Sequence, residues 1–82
     1  MLVRFNIKLN SIDEVRKFNE YANNVTGEIY LGQGRYVVSA KSIMGILSLS
    51  LLDELELSID EPKDDFYNFF QNIKDMGIIV TD

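Results

Sequence analysis

The chain has 82 residues, so one small domain over residues 1–82 is expected, burying roughly 60% of its unfolded surface. Histidine and cysteine are both absent. That excludes disulfides, thiolate zinc sites and the serine–histidine and cysteine–histidine nucleophile pairs, and it removes the usual general base and the usual phosphoryl-carrying imidazole near neutral pH. The net charge of −5 disfavours nucleic acid as a partner, since no cluster of lysine or arginine overrides its sign, and no window reaches the ~18 continuous apolar residues of a membrane span.

The first stretch, "LVRFNIKL" over residues 2–9, alternates as a strand does. Val3, Phe5, Ile7 and Leu9 share one face, Arg4, Asn6 and Lys8 share the other, and Leu2 is out of phase. One wet face implies an antiparallel sheet covered on one side only. The opening "MLVRFNIKLN" has no cleavable apolar region, so no signal peptide is read, and together with the lack of cysteine this fits a reducing cytoplasm. "NSIDEVRKFNEYANNVTG" follows as a helix. Ser11 with Glu14 three residues on is a capping-box signature, and Asp13 and Glu14 suit the positive end of a helix dipole. Ile12, Val15, Phe18, Tyr21, Ala22 and Val25 recur at helical spacing. "EIYLGQGRYVV" predicts a hairpin with Ile29 and Leu31 on one arm, Tyr36 with Val38 or Val37 on the other, and "GQG" as the turn.

Two patterns compete in "SAKSIMGILSLSLL". Leu47, Leu49 and Leu51 alternating with Ser48 and Ser50 is a strand pattern. Ser42 as an N-cap, followed by Ile43, Ile46, Leu47 and Leu51 at helical spacing, is a short helix, and the helix is favoured. Gly45 costs such a helix about 1 kcal/mol relative to alanine and permits close approach of another backbone. Ile46 and Leu49 are assigned to the core, Met44 and Leu47 to the surface. "ELELSID" is a fourth strand with Leu55, Leu57 and Ile59 inward. "EPKDDFYNFFQNIKDMG" is the clearest helix, with Pro62 in its first turn, Asp64 and Asp65 early, Gly77 past its end, and a stripe of Phe66, Phe69, Phe70, Ile73 and Met76. The tail "IIVTD" packs Ile78 and Ile79. The acidic stretch "DELELSIDEPKDD" is a solvated edge without calcium-loop spacing, and "GQG" is too short to cradle a phosphate. No enzyme, cofactor or metal is expected.

The element order β-α-β-β-α-β-α and the run "SAKSIMGILSL" resemble the HPr family, the phosphocarrier proteins of the bacterial sugar phosphotransferase system. That family carries "K-S-I-M-G-x-x-S-L" after its hairpin, and Lys41, Ser42, Ile43, Met44, Gly45, Ser48 and Leu49 match it. The resemblance implies an α+β open-faced sandwich, a four-stranded antiparallel sheet with three helices on one face. It also locates a break. The family's "G-I-H-A-R-P-A" segment carries the phosphoryl group on its histidine. Counted back from the serine motif without a gap, that histidine falls on Ser11, the arginine on Asp13 and the proline on Glu14. A phosphoserine is a stable ester rather than a reactive phosphoramidate, and Asp13 would repel the phosphate that an arginine holds. Phosphocarrier activity is therefore not expected.

The family's serine at the position of Ser42 is phosphorylated by a dedicated kinase, and one branch that lost the histidine acts only in regulation. The resemblance thus implies a non-catalytic regulatory or protein-interaction module, with Ser42 as the phosphorylation site and Lys41, Ile43, Met44 and Leu47 facing a partner. The partner would be an HPr-type serine kinase or a transcriptional regulator. The alternative is a diverged scaffold or subunit of the same fold, unrelated to sugar transport.

Overall fold

Four strands form one antiparallel sheet. The computed structural model describes residues 1–81. Along the chain the elements are β1 (Leu2–Ile7), α1 (Ile12–Asn23), β2 (Ile29–Gln33), β3 (Tyr36–Ser39), α2 (Ile43–Leu47), β4 (Leu55–Asp60) and α3 (Phe66–Asp75). This is the expected β-α-β-β-α-β-α order. The last strand is inserted between the first two, with Phe5 opposite Leu57 on one side and Leu31 opposite Leu57 on the other.

That register sorts every strand residue by face, because side chains alternate. Ile7, Ile29, Leu31, Leu55, Leu57 and Ile59 point under the helices and are buried. Val15, Phe18 and Ala22 of α1, Ile46 of α2, and Phe69 and Ile73 of α3 close onto them in one cluster. All three helices therefore lie on one face. Phe18 and Phe69 meet in a tilted contact at a centroid distance of 5.9 Å, and each contributes roughly 1.5–3 kcal/mol by leaving water. On the opposite face Arg4, Asn6, Tyr30, Val37 and Glu56 stand exposed. The hairpin register resolves the choice left open in β3: Val38 pairs with Leu31 and packs on the core, while Val37 pairs with Gly32 and faces out.

The structure corrects four local expectations. The hairpin turn is Gly34–Arg35 rather than "GQG", since Gln33 already pairs with Tyr36. Only Gly34 needs a positive φ, at +61°. Pro62 lies outside α3, which starts at Phe66, because the chain first turns through Glu61 at φ +58° and then through a Phe66 N–H bond to the Lys63 carbonyl. The acidic stretch is solvated as expected, but not as a sheet edge: its strand, β4, is central, and there Glu56 and Asp60 reach solvent by alternating with buried Leu55, Leu57 and Ile59. Ile12 is half exposed despite its helical phase, being the first residue of α1 and lying in a cleft beside Leu51 and Leu52.

The tail does more than pack. Lys8 N–H donates to the Ile78 carbonyl (2.8 Å), Val80 N–H donates to Asn6 (2.9 Å), and Ile79 forms an antiparallel bridge with Ile7. Residues 78–80 thus cover part of the outer edge of β1, a row of backbone groups that would otherwise invite pairing with another chain. No helix among the described residues is long and apolar enough to cross a membrane.

Candidate functional site

Ser42 begins α2 as a cap. Its backbone is extended (φ −101°, ψ 107°), its Oγ accepts the Gly45 N–H at 3.0 Å, and its carbonyl accepts the Ile46 N–H at 3.0 Å. Ser48 closes the helix after only five residues, donating its hydroxyl to the Gly45 carbonyl at 2.6 Å. A helix this short has no stability of its own, so its place depends on packing. Ile46 is fully buried, and Leu49 just past the end is nearly so. Gly45 allows the helix to seat. A Cβ there would lie 3.1 Å from the Cβ of Val38 and 3.2 Å from Ser42 Oγ. The close neighbour is thus a β3 side chain and not, as expected from the sequence, another backbone.

Burying Ile46 turns the other face of α2 outward. Met44 is 75% exposed, Leu47 42% and Ile43 36%, and the Ser42 hydroxyl stands beside them in solvent. Lys41 behaves differently from its neighbours. It is half-buried, and its Nζ donates to the Val25 carbonyl at 2.6 Å, so its ammonium is engaged within the molecule.

Ser11 caps α1 in the same way, its Oγ accepting the Glu14 N–H at 3.1 Å. The Glu14 carboxylate returns to the Asn10 N–H at 2.8 Å, one residue earlier than a standard capping box. That carboxylate is committed to an amide, and among the described residues no base is hydrogen-bonded to the Ser11 hydroxyl. Ser11 lies in an open cleft of about 450 Å³ with Lys8, Leu9, Asn10, Ile12, Leu51 and Leu52. Lys8, the one cation among the described residues lining this cleft, directs two of its three ammonium donors to the Leu51 carbonyl (2.9 Å) and Asn10 Oδ1 (3.3 Å). Asp13 is almost fully exposed, 3.7 Å from Arg16. Among the described residues no cluster of acidic side chains is placed to hold a metal ion.

Several side chains that position this region carry no periodic signal in the sequence. Asn19 Nδ2 donates to the Ala40 carbonyl at 3.2 Å, and Asn23 Nδ2 donates to the Lys41 carbonyl at 3.2 Å. Gln33 clasps the loop after α2 in both directions, through the Ser50 carbonyl (2.7 Å) and the Ser50 N–H (2.9 Å). Asparagine is a weak helix former, and two of them four residues apart within α1 are the only hint that they serve another segment. Asp65 likewise reaches away from its own helix. Its Oδ2 accepts the Thr26 N–H at 2.8 Å, and that bond holds its carboxyl below the usual aspartate range.

No family model matches the chain, and no curated protein matches it. Among solved structures it is similar to HPr-C-His from Thermoanaerobacter tengcongensis, with a TM-score of 0.66 and 24% identity over 93% of this chain and 89% of that one. At that identity the likeness establishes architecture. The chain has the HPr fold, an α+β four-stranded antiparallel sheet with three helices.

Proposed function

We propose that the protein is an HPr-like, non-catalytic regulatory or protein-interaction module that acts in the cytoplasm. Ser42 is its phosphorylation site, and the exposed Ile43, Met44 and Leu47 are its partner face. The observation that carries this reading is the solvent-facing Ser42 hydroxyl next to three exposed apolar side chains on a helix whose inner face is satisfied. A phosphoryl group there adds about −1.5 to −2 charges to the margin of an apolar surface, which changes which partner that surface accepts. An arginine-bearing partner gains contacts, whereas an apolar or acidic one loses them. The partner proposed is an HPr-type serine kinase or a transcriptional regulator.

The protein is not a phosphocarrier on this reading. Histidine is absent, the matching position is Ser11, and Asp13 stands where a phosphate would be held. Incubation with an HPr-type serine kinase and ATP, followed by intact mass, tests the proposal. One acid-stable phosphoryl group supports it, and an unchanged mass defeats it. An acid-labile adduct formed from phosphoenolpyruvate and the general phosphotransferase enzyme would also defeat it.

A second reading rests on the bond from Gly45 N–H to Ser42 Oγ. That bond accounts for the serine as a cap alone, and the protein is then a scaffold or subunit that keeps the fold without the switch.

A further inference from the structure

The two-residue turn ahead of Ser42 is held from every side. Ala40 N–H donates to the Ile29 carbonyl at 2.8 Å, and the Ala40 carbonyl accepts from Asn19. Lys41 N–H donates to Ser39 Oγ at 3.1 Å, and the Lys41 carbonyl accepts from Asn23. Ser42 N–H donates to the Ser39 carbonyl at 3.1 Å. The Lys41 ammonium reaches the Val25 carbonyl, and the next residue, Thr26, is tied to Asp65 at the start of α3. Every backbone donor and acceptor of Ala40 and Lys41 is thus occupied, and three of the ties run to α1 or to the loop that follows it. Ala40 is fully buried and Lys41 half-buried, so these backbone groups need partners within the molecule, and α1 supplies two of them through side chains rather than through a strand or helix ladder.

We propose that Asn19, Asn23 and Lys41 are positioning residues for Ser42. They anchor the turn to α1 so that the Ser42 hydroxyl stays in its cap geometry, fixed for a modifying enzyme that recognises the folded turn. The part concerning modification rests on the function proposed above, whereas the anchoring does not. The helix that follows is too short to hold its own first residue still. Without the asparagine donors the buried Ala40 carbonyl loses its partner and the Lys41 carbonyl turns to water, and Ser42 is left on a mobile hinge between β3 and α2. A kinase then has to order that hinge when it binds, and the cost appears as a higher KM.

The test uses the full chain with Asn19→Ala and Asn23→Ala, singly and together. The first readout is amide hydrogen exchange at Gly45, whose N–H is the donor to Ser42 Oγ. The double variant loses both bonds to the turn, and with them the Asn23 bond to the Asn19 carbonyl, and should speed this exchange about tenfold with the Leu57 and Phe18 amides unchanged. Equal acceleration everywhere would mean a general loss of stability and would overturn the anchoring. No acceleration would also overturn it. The second readout is steady-state phosphorylation by an HPr-type kinase. A several-fold rise in KM at unchanged kcat is expected, and unchanged kinetics beside a loosened Gly45 would overturn the positioning role. If the unaltered protein is not a substrate at all, the regulatory reading falls, and the anchoring stands or falls on Gly45 alone.

Discussion

Ser11 and Ser42 start two helices by the same bond, a hydroxyl oxygen accepting the N–H three residues on, at 3.1 and 3.0 Å. Their surroundings differ. Ser11 heads twelve residues of helix that bury Val15, Phe18 and Ala22, with Asp13 and Glu14 in the first turn. Ser42 heads five residues that bury Ile46, with no carboxylate in the first turn. The negative charges at α1 already use the helix dipole and would oppose a further anion, whereas those N–H groups at α2 face no such competition. Ser11 is thus suited to holding a helix, and Ser42 is suited to holding one and accepting charge. Identical cap chemistry does not make identical sites.

The contrast depends first on one core carrying both helices. Phe69→Ala should cost about 3–5 kcal/mol, a large part of the roughly 4–12 kcal/mol available to a domain of this length. Because Phe69 packs against Phe18, α1 should lose protection before the β2–β3 hairpin does. Urea unfolding followed by residue-resolved exchange checks both points, and an unchanged midpoint would break the shared-core account. Gly45→Ala is the next sharpest probe, since it touches only the Ser42 side. The added methyl meets the Val38 Cβ, which is fixed to a strand and yields little. Overpacking of about 1–3 kcal/mol outweighs the gain in helix propensity of about 1 kcal/mol, so a net loss of about 1 kcal/mol is expected in thermal unfolding.

Removing each cap compares them directly. Ser11→Ala should cost about 1–2 kcal/mol, because a long, well-packed helix loses its start. Ser42→Ala should cost about 0.5–1 kcal/mol, because less structure depends on it. Aspartate at the same positions tests the charge argument. Ser42→Asp should match the parent within about 0.5 kcal/mol, and Ser11→Asp should fall about 0.5 kcal/mol further behind, beside Asp13 and Glu14. Equal values would remove the electrostatic distinction. The smallest expected effect is with pH. The lowered carboxyl of Asp65, held by Thr26 N–H, stabilises the fold in full above the ordinary aspartate value, and this is lost as pH falls through and below it. Asp65→Asn should therefore flatten the acid limb of a stability profile between roughly pH 5 and 2.

Much of this molecule is legible in order along the chain. Alternation located Ile7, Leu31 and Leu57 on the covered face, and the two Ser caps followed from spacing alone, because both signals are local. What escaped is held by contacts between distant segments. The Ile79 bridge to Ile7 spans nearly the whole chain and needs the sheet's edge to exist first. The Asn19 and Asn23 bonds to the turn before Ser42 join α1 to the end of β3, and no periodicity announces them. The family resemblance puts Lys41 on the partner face beside Ser42. Its long stem lets the ammonium fold back to Val25, which sequence spacing cannot convey. Propensity allows Pro62 in a first turn, yet the Glu61 turn delays the helix past it.

The distinction between the two serines is tested most directly by mapping where a phosphoryl group goes. The unaltered protein, Ser11→Ala and Ser42→Ala would each be incubated with an HPr-type serine kinase and ATP, and the modified residue located by fragmentation mass spectrometry. The account predicts a single acid-stable phosphoryl group on Ser42 in the first two proteins and none in the third. Phosphate on Ser11, or its absence from all three, would contradict it.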